Sequence, residues 1–379
     1  MKKLAIIGAS YLQNPLILRA KEMGLETHVF AWKAGDIGET TADHFYPISI
    51  TEKEQILEKC REIGIDGICS IASDLAMVAV NYVAENMGLP GNSLHCTLIS
   101  TNKYAMRQAL KDGGLKCPGF MLVDENSTLD NIDLEFPVIV KPTDRSGSRG
   151  VTKLKSMSGL MAAITSARDF SFEKKAIIEE FIVGKEYSVE CISYNGEHTL
   201  LAITEKFTTG SPNFIETGHF EPAPLSKEIK EAVRNTVYKA LDALEIKNGA
   251  SHSEIMVKED GSIVIVEIGG RMGGDCIGSS LVQLTTGVDF VKAVIDVALG
   301  NAPDLTPSTH HGAAGIKFIF SQQDADYFKE IQQQHPELII ESSIEDITDR
   351  HVIDSSTRFG YFIVAGDDQE QIREIVASL

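Results

Sequence analysis

The sequence predicts an α/β protein that begins with a parallel sheet wrapped by helices and continues into antiparallel sheet. Three features carry that reading. Over the first hundred residues, short apolar runs alternate with amphipathic helical stretches, the pattern of a sheet covered on both faces. From Cys117 the texture changes to paired runs around a Gly/Ser/Arg loop. Near residue 260, two β-branched runs flank Asp260-Gly261, a hairpin signature.

In chain order, residues 4–7 form a buried-strand pattern running into Gly8-Ala9-Ser10. A helix follows through Leu12, Leu16, Ile17 and Ala20 to a stop at Gly24. Gly8 does not start a GxGxxG pattern, so a structural or small-substrate loop is favoured there over a dinucleotide site. Residues 27–31 are a second strand. Thr51-x-x-Glu54 reads as a capping box opening a helix with Ile56, Leu57, Cys60 and Ile63 inward and Gly64 at its end. Residues 67–72 are a further strand and 75–87 a further helix closed by Gly88. Residues 101–111 are predicted helical, with Lys103 in the first turn.

Residues 136–141 and 151–155 are two strands around Thr143-Asp144-Arg145-Ser146-Gly147-Ser148-Arg149-Gly150. Such a loop suits a flap whose backbone N–H groups cradle phosphate oxygens. It is not a Walker loop, because Lys141 precedes the glycines and no GK[ST] follows. Standing alone, it would read rather as a solvent-exposed hairpin loop. Strands are predicted at 176–182, 188–193 and 200–204, then a long Pro/Gly loop at 208–225, suspected of touching substrate because of its length. Ser226 caps a helix to about Leu244. After the hairpin come a helix at 286–299 and a tail with strands at 315–320, 337–341 and 360–365 and helices at 325–334 and 368–379.

The hairpin, residues 252–274 (HSEIMVKEDGSIVIVEIGGRMGG), holds the most chemistry. If Asp260 and Gly261 form a two-residue type I′ turn, Val257 faces Val264 and Glu254 lands opposite Glu267. Opposed side chains share a face with Cβ atoms about 4.5–5.5 Å apart, where like charges destabilise a sheet. Two carboxylates in an apolar setting need a shared proton or a cation. A hard divalent ion with oxygen ligands, Mg²⁺ above all, is the usual partner when phosphates are present. Taken alone, the hairpin favours a half-buried pairing of its glutamates with lysines elsewhere; the rest of the chain shifts that balance.

Composition sets outer limits. The 379 residues suffice for two or three domains, and 43% hydrophobic with 23% charged residues suits a soluble globular chain. The net charge of −19 argues against nucleic acid or an anionic membrane as partner. The 6 cysteines form no CxxC pair and read as reduced thiols of a cytoplasmic protein. The opening MKKLAIIGAS is basic then apolar, but its apolar run is short for a secretory signal and reads as a first strand. No segment approaches transmembrane length.

Four features in order resemble the ATP-grasp superfamily of carboxylate–amine ligases: Lys103 on its helix, FPVIVKPTDRSGSRG, IIEEFIVGKEYSVE, and HSEIMV…VIVEIGGRMGG. Each motif is weak alone, and the ordered set covers nearly the whole chain. The resemblance implies two antiparallel-sheet subdomains gripping ATP behind a doubly wound parallel-sheet N-terminal domain, with a small C-terminal α+β module like that of the biotin-carboxylase-like branch. It divides the chain into 1–100, 101–185 (lid subdomain), 186–305 (large catalytic subdomain) and 306–379.

The resemblance also implies roles. Lys103 and Lys141 would contact phosphates, with Ser146, Gly147, Ser148 and Gly150 of the flap above them. Glu179, Glu180, Phe181 and Ile182 would form the adenine-facing edge, and Glu186 would bind ribose hydroxyls. Glu254 and Glu267 would hold Mg²⁺, with Mn²⁺ as a substitute, and Arg271 would join Lys141 at the transferred phosphoryl group. One departure stands out: many members carry Asn two residues after the second glutamate, where this chain has Gly269, a form similar to the L-amino-acid ligase branch. Metal coordination would then be completed by water or phosphate. Glu216, His219, Gly273 and Gly274 are the substrate candidates.

The implied chemistry is phosphoryl transfer from ATP to a carboxylate, then attack by an amine, with small-molecule substrates that are amino acids or similar carboxylates. A homodimer is a fair expectation from the family. A purine-biosynthetic or carbamoyl-phosphate-like enzyme is the alternative within the superfamily. A nicotinamide-linked oxidoreductase and a non-catalytic ATP-binding protein are the alternatives outside ligase chemistry.

Overall fold

The computed structural model describes residues 1–127, 133–145, 147, 149–210 and 214–378. Its first sheet is parallel, with β1 (Lys3–Ile7), β2 (Glu26–Phe30), β3 (His44–Tyr46) and β4 (Gly67–Cys69) in the order β3-β2-β1-β4. Alternation along β1 separates two cores. Leu4 and Ile6 pack with Leu16 and Ile17 and, from far along the chain, Phe290 and Val294. Ala5 and Ile7 pack with Ile56, Ala79 and Val83 on the other face. The doubly wound reading therefore holds. The capping box does not form: the helix Lys53–Ile63 starts after Glu52 with no side-chain cap, and Thr51 Oγ1 bonds Ser49 instead.

The second sheet is antiparallel and small: β5 (Phe120–Val123), β6 (Val138–Pro142), β7 (Thr152–Leu154) and β8 (Ala176–Glu180), in the order β5-β8-β6-β7. The flap joins β6 to β7. Ahead of it, the helix read at 101–111 runs Lys103–Asp112, and a further helix, Leu94–Thr101, precedes it. Asn102 separates them and caps the second by accepting from the N–H groups of Tyr104 and Ala105.

The third sheet has eight strands. They are β9 (Lys185–Tyr194), β10 (Glu197–Thr208), β11 (Glu216–Glu221), β12 (Gly249–Val257), β13 (Ile263–Gly269), β14 (Ala313–Phe318), β15 (Ile339–Ile344) and β16 (Gly360–Gly366). Their order is β13-β12-β9-β10-β11-β14-β16-β15, so the tail strands extend the same sheet that carries the hairpin. The expected loop at 208–225 is corrected: β11 runs through it, paired with β10 and β14. The helix expected at 286–299 begins only at Phe290, after Gly287 at φ +73° and an Asp289 cap. Among the described residues, no helix is long and apolar enough to cross a membrane.

The hairpin turn is also corrected. Lys258 N–H bonds the Ser262 carbonyl, leaving Glu259, Asp260 and Gly261 as a three-residue loop with Gly261 at φ +76°. Val257 therefore pairs with Ile263, not Val264. Val266 then bulges out of register, and beyond it Glu254 faces Glu267.

Candidate active site

One face of the third sheet is polar across four strands. Period 2 places Glu186, Ser188 and Glu190 of β9 beside His252 and Glu254 of β12, Thr204 and Lys206 of β10, and His219 and Glu221 of β11. The intervening Tyr187, Val189, Cys191, Ile203 and Ile255 point the other way, into a buried cluster with Val233, Val237 and Leu241 of the helix Lys227–Ala243. The polar face looks onto a cavity of ≈600 Å³, lined among others by Lys206, Glu216, His219, Glu254, Arg271 and Gly274. A second cavity of ≈650 Å³ is lined by Lys103, Asp144, Arg145 and Glu267. Both are bordered by Ala72, Asp74 and the flap's Arg149.

Glu254 and Glu267 are opposed, and each has a lysine. Lys206 Nζ lies 2.8 Å from Glu254, 2.7 Å from Glu186 and 3.9 Å from Glu216. Burial by itself would lower its pKa, but these carboxylates hold it well above the usual lysine value. Burial would raise Glu254, yet Lys206 and His252 hold it well below the carboxylate range. Lys103 Nζ donates to Glu267 at 2.7 Å and to the Arg145 carbonyl at 2.8 Å, tying helix, flap and hairpin together. The donors of the two glutamates are all oxygen, as Mg²⁺ prefers.

Lys141 is buried 2.6 Å from Glu179, and Arg107 Nε makes an equally close ion contact there without hydrogen-bond alignment. Burial would raise the Glu179 carboxyl, but Arg107 and Lys141 hold it at about 2. Arg107 Nη2 also donates to the Val266 carbonyl at 2.6 Å, fixing the bulge. Glu180 turns the other way and accepts from Gly119 and Glu135 N–H groups. The carboxylates of Glu179 and Glu180 are thus engaged internally, which leaves the backbone toward Ile182 for a ligand. Phe181 carries Lys153 Nζ 3.2 Å over its ring and leans on Phe214. Gly147 and Gly150 adopt φ +71° and +70° in the flap. Ser146 and Ser148 lie outside the described residues.

Arg271 grips Asp74 with two 2.9 Å bonds, a bidentate link between the hairpin and the first domain. A Cβ on Gly269 would overlap that Asp74 carboxylate, which explains glycine at this position. Gly273 gives its N–H to Glu190 Oε2 at 2.9 Å, and Glu190 Oε1 bonds His252 Nδ1. Burial would lower His252, but Glu190 raises it to about 9. Glu221 bonds Thr204 and Thr285, and burial pushes it up to about 8. His219 is buried with Nε2 3.4 Å from Asp275, itself held by Arg358, while its Nδ1 has no partner. Glu216 accepts from Ser355 Oγ at 3.0 Å.

Sequence reading missed Lys206, Arg107, Asp74, Glu190, Asp275 and Arg358. Two left a signal: Arg107 lies four residues after Lys103 on one helix face, and Lys206 is a cation on the polar period of a strand. The other four meet the site only through long-range packing.

Known proteins resemble this chain in sequence and in fold. Residues 134–279 match the family model described as an ATP-grasp domain. Alanine–anticapsin ligase of Bacillus subtilis is 26% identical over 337 residues, covering 78% of this chain and 70% of that protein. D-alanine–D-alanine ligase B of Chromobacterium violaceum is 32% identical over 190 residues, covering 48% and 62%. The crystal structure of L-amino acid ligase from Bacillus licheniformis superposes with a TM-score of 0.83 at 24% identity, covering 99% of this chain and 97% of that one. Residues 134–279 are thus an ATP-grasp domain, set within a fold that the chain shares over nearly its whole length with L-amino acid ligase.

Proposed function

We propose that this protein is an ATP-dependent carboxylate–amine ligase acting on amino acids or similar small carboxylates, in the cytoplasm. The observation that carries the reading is the opposed pair Glu254 and Glu267, where two cavities adjoin under the flap. Relatives named as amino-acid ligases support the substrate class, and six free cysteines suit a reducing compartment.

On this reading Glu254 and Glu267 hold Mg²⁺, which supplies positive charge against the phosphate oxygens of ATP. Lys103 and Lys141 face those oxygens, with Gly147 and Gly150 letting the flap close over them. The backbone from Glu180 to Ile182 borders the adenine, and Glu186 reaches the ribose once Lys206 turns to phosphate. A substrate carboxylate oxygen attacks the γ-phosphorus, the bond to ADP breaks, and an acyl phosphate forms. The amine then attacks the acyl carbon, the C–O bond to phosphate breaks, and the ammonium proton passes to solvent. Arg271, fixed by Asp74, neutralises charge on the acyl phosphate. Glu216, His219, Gly273 and Gly274 shape the substrate cavity.

The test is a pairwise screen of amino acids with MgATP, reading phosphate release and amide product together. At least one pair should give both in equal amounts. ATP binding with no product from any pair of amino acids or related carboxylates and amines would refute the ligase reading.

A further inference from the structure

Far from the cleft, the parallel sheet carries a cluster that the ligase chemistry does not use. His28 and His44 face each other across β2 and β3, and Glu26 lies two residues before His28 on the same face. The two imidazoles stack with centroids 4.7 Å apart and planes inclined by 15°. Glu26 Oε1 stands 3.1 Å from both Nε2 atoms. One ligand atom from each residue lies within 4.8 Å of the other two, and no other trio of His, Cys, Asp or Glu among the described residues is so close.

A surface ion pair accounts for His44, which is half exposed, but not for His28. His28 is 3% exposed, and its Nε2 has no hydrogen-bond partner, because the 3.1 Å approach of Glu26 is misaligned. A buried polar atom left unsatisfied is costly and calls for a partner such as water or an ion. Its Nδ1 lies 3.1 Å from the Tyr46 hydroxyl. With Nδ1–H donating to that oxygen, the lone pair falls on Nε2, the arrangement found behind metal-bound histidines.

We infer that Glu26, His28 and His44 form a Zn²⁺ site on the edge of the first sheet, with Tyr46 orienting the His28 ring. Two imidazole nitrogens and one carboxylate suit zinc, whereas Mg²⁺ and Ca²⁺ prefer oxygen alone. Three protein ligands leave a tetrahedral position for water, and exposed His44 provides the way in. Bonds of about 2.0–2.2 Å require Glu26 Oε1 to withdraw from between the two nitrogens. The ion would pin β3, a three-residue strand paired only with β2, to the sheet.

The experiment is calorimetric titration of the full chain with ZnCl₂ in excess MgCl₂, comparing wild type, His44→Ala, and the double variant Glu254→Gln/Glu267→Gln. Wild type and the double variant should each bind one zinc ion tightly, and His44→Ala should bind at least about tenfold more weakly. The visible spectrum of tetrahedral Co²⁺ should form in wild type and vanish in His44→Ala. His44→Ala keeps buried His28 in place, and its MgATP-dependent activity should be unchanged, which shows that it folds. Zinc binding by His44→Ala equal to wild type, or loss of tight binding in the double variant, would overturn the inference.

Discussion

The two faces of the eight-stranded sheet are built from the same strands and solve opposite problems. On one face Tyr187, Val189, Cys191, Ile203 and Ile255 bury apolar surface against a helix. On the other, Glu190, Thr204 and Glu221 are buried and Glu186, Lys206 and Glu254 half-buried, yet all are charged or polar. Alternation usually sets a core face against a solvated one. Here the second face is shielded by the flap, the first domain and the tail, so every charge must find a partner inside the protein. Lys206 meets three carboxylates, Glu190 meets His252 and a backbone N–H, and Glu221 bonds two threonines while burial pushes its pKa up. The contrast separates what stabilises this protein from what it does: one face contributes burial, the other pre-positioned charge.

The two faces should therefore respond differently to substitution. Glu267→Ala should cost the most activity, on the order of a thousandfold in turnover, with a smaller loss of stability than Lys206→Met, because its side chain is 28% exposed and Lys103 keeps the Arg145 carbonyl. Near-normal MgATP-dependent turnover in that variant would break the division. Lys206→Met should act on both activity and stability, because it leaves Glu186, Glu254 and Glu216 without their shared cation. Removing one partner from a buried ion cluster costs about 3–5 kcal/mol. Added Mg²⁺ should restore more stability to this variant than it adds to wild type. Denaturant titrations that give equal stability for the two proteins would show that Lys206 is not the counter-charge.

How the sequence reached the glutamate pair is instructive, because two wrong steps cancelled. A two-residue turn was expected, but Asp260 takes the Ser262 N–H and hydroxyl locally, favouring a longer loop and shifting the register by one. The bulge at Val266 shifts it back, and Arg107 holds that bulge from the helix Lys103–Asp112. Local turn chemistry was legible in outline; the compensating bulge was not, because its cause lies 159 residues away. Gly269 teaches the same lesson. Its departure from the family pattern was visible, but the carboxylate of Asp74 that fills the space belongs to the first domain. The layers could be read because strand and helix patterns repeat along the chain. β11 could not, since its short run Glu216–Glu221 gains strand character only from neighbours on both sides.

Val189→Ala sharpens the comparison from the apolar side. Val189 is fully buried on β9, between Ser188 and Glu190 of the polar face. The lost methyl groups and the remaining void should cost about 2 kcal/mol of stability. Turnover at saturating substrate should stay within about twofold, because the strand still presents its neighbours to the cleft. A fall in turnover comparable to that of Glu267→Ala would mean that the two faces are coupled through the backbone.

The smallest effect is a tilt with pH, and it tests whether Glu221 carries a proton at neutrality. Burial raises its pKa from 4.5 to about 8, so between those values the folded protein retains a proton that the unfolded chain has released. Stability must then fall as pH rises through that window. Glu221→Gln removes the titration and preserves the geometry. The amide can donate to Thr285 Oγ1, as the neutral acid would, while that hydroxyl donates to the Leu281 carbonyl at 3.0 Å. The difference in stability between variant and wild type should be constant below about pH 4.5, rise in favour of the variant up to about pH 8, and level off above it. His252 contributes equally to both proteins and drops out of the difference, although its own raised pKa makes each lose stability as pH climbs from 6.5 toward 9. A difference that does not change with pH would mean that Glu221 is ionised in the folded protein, and that the polar face holds one more unbalanced charge than its hydrogen bonds account for.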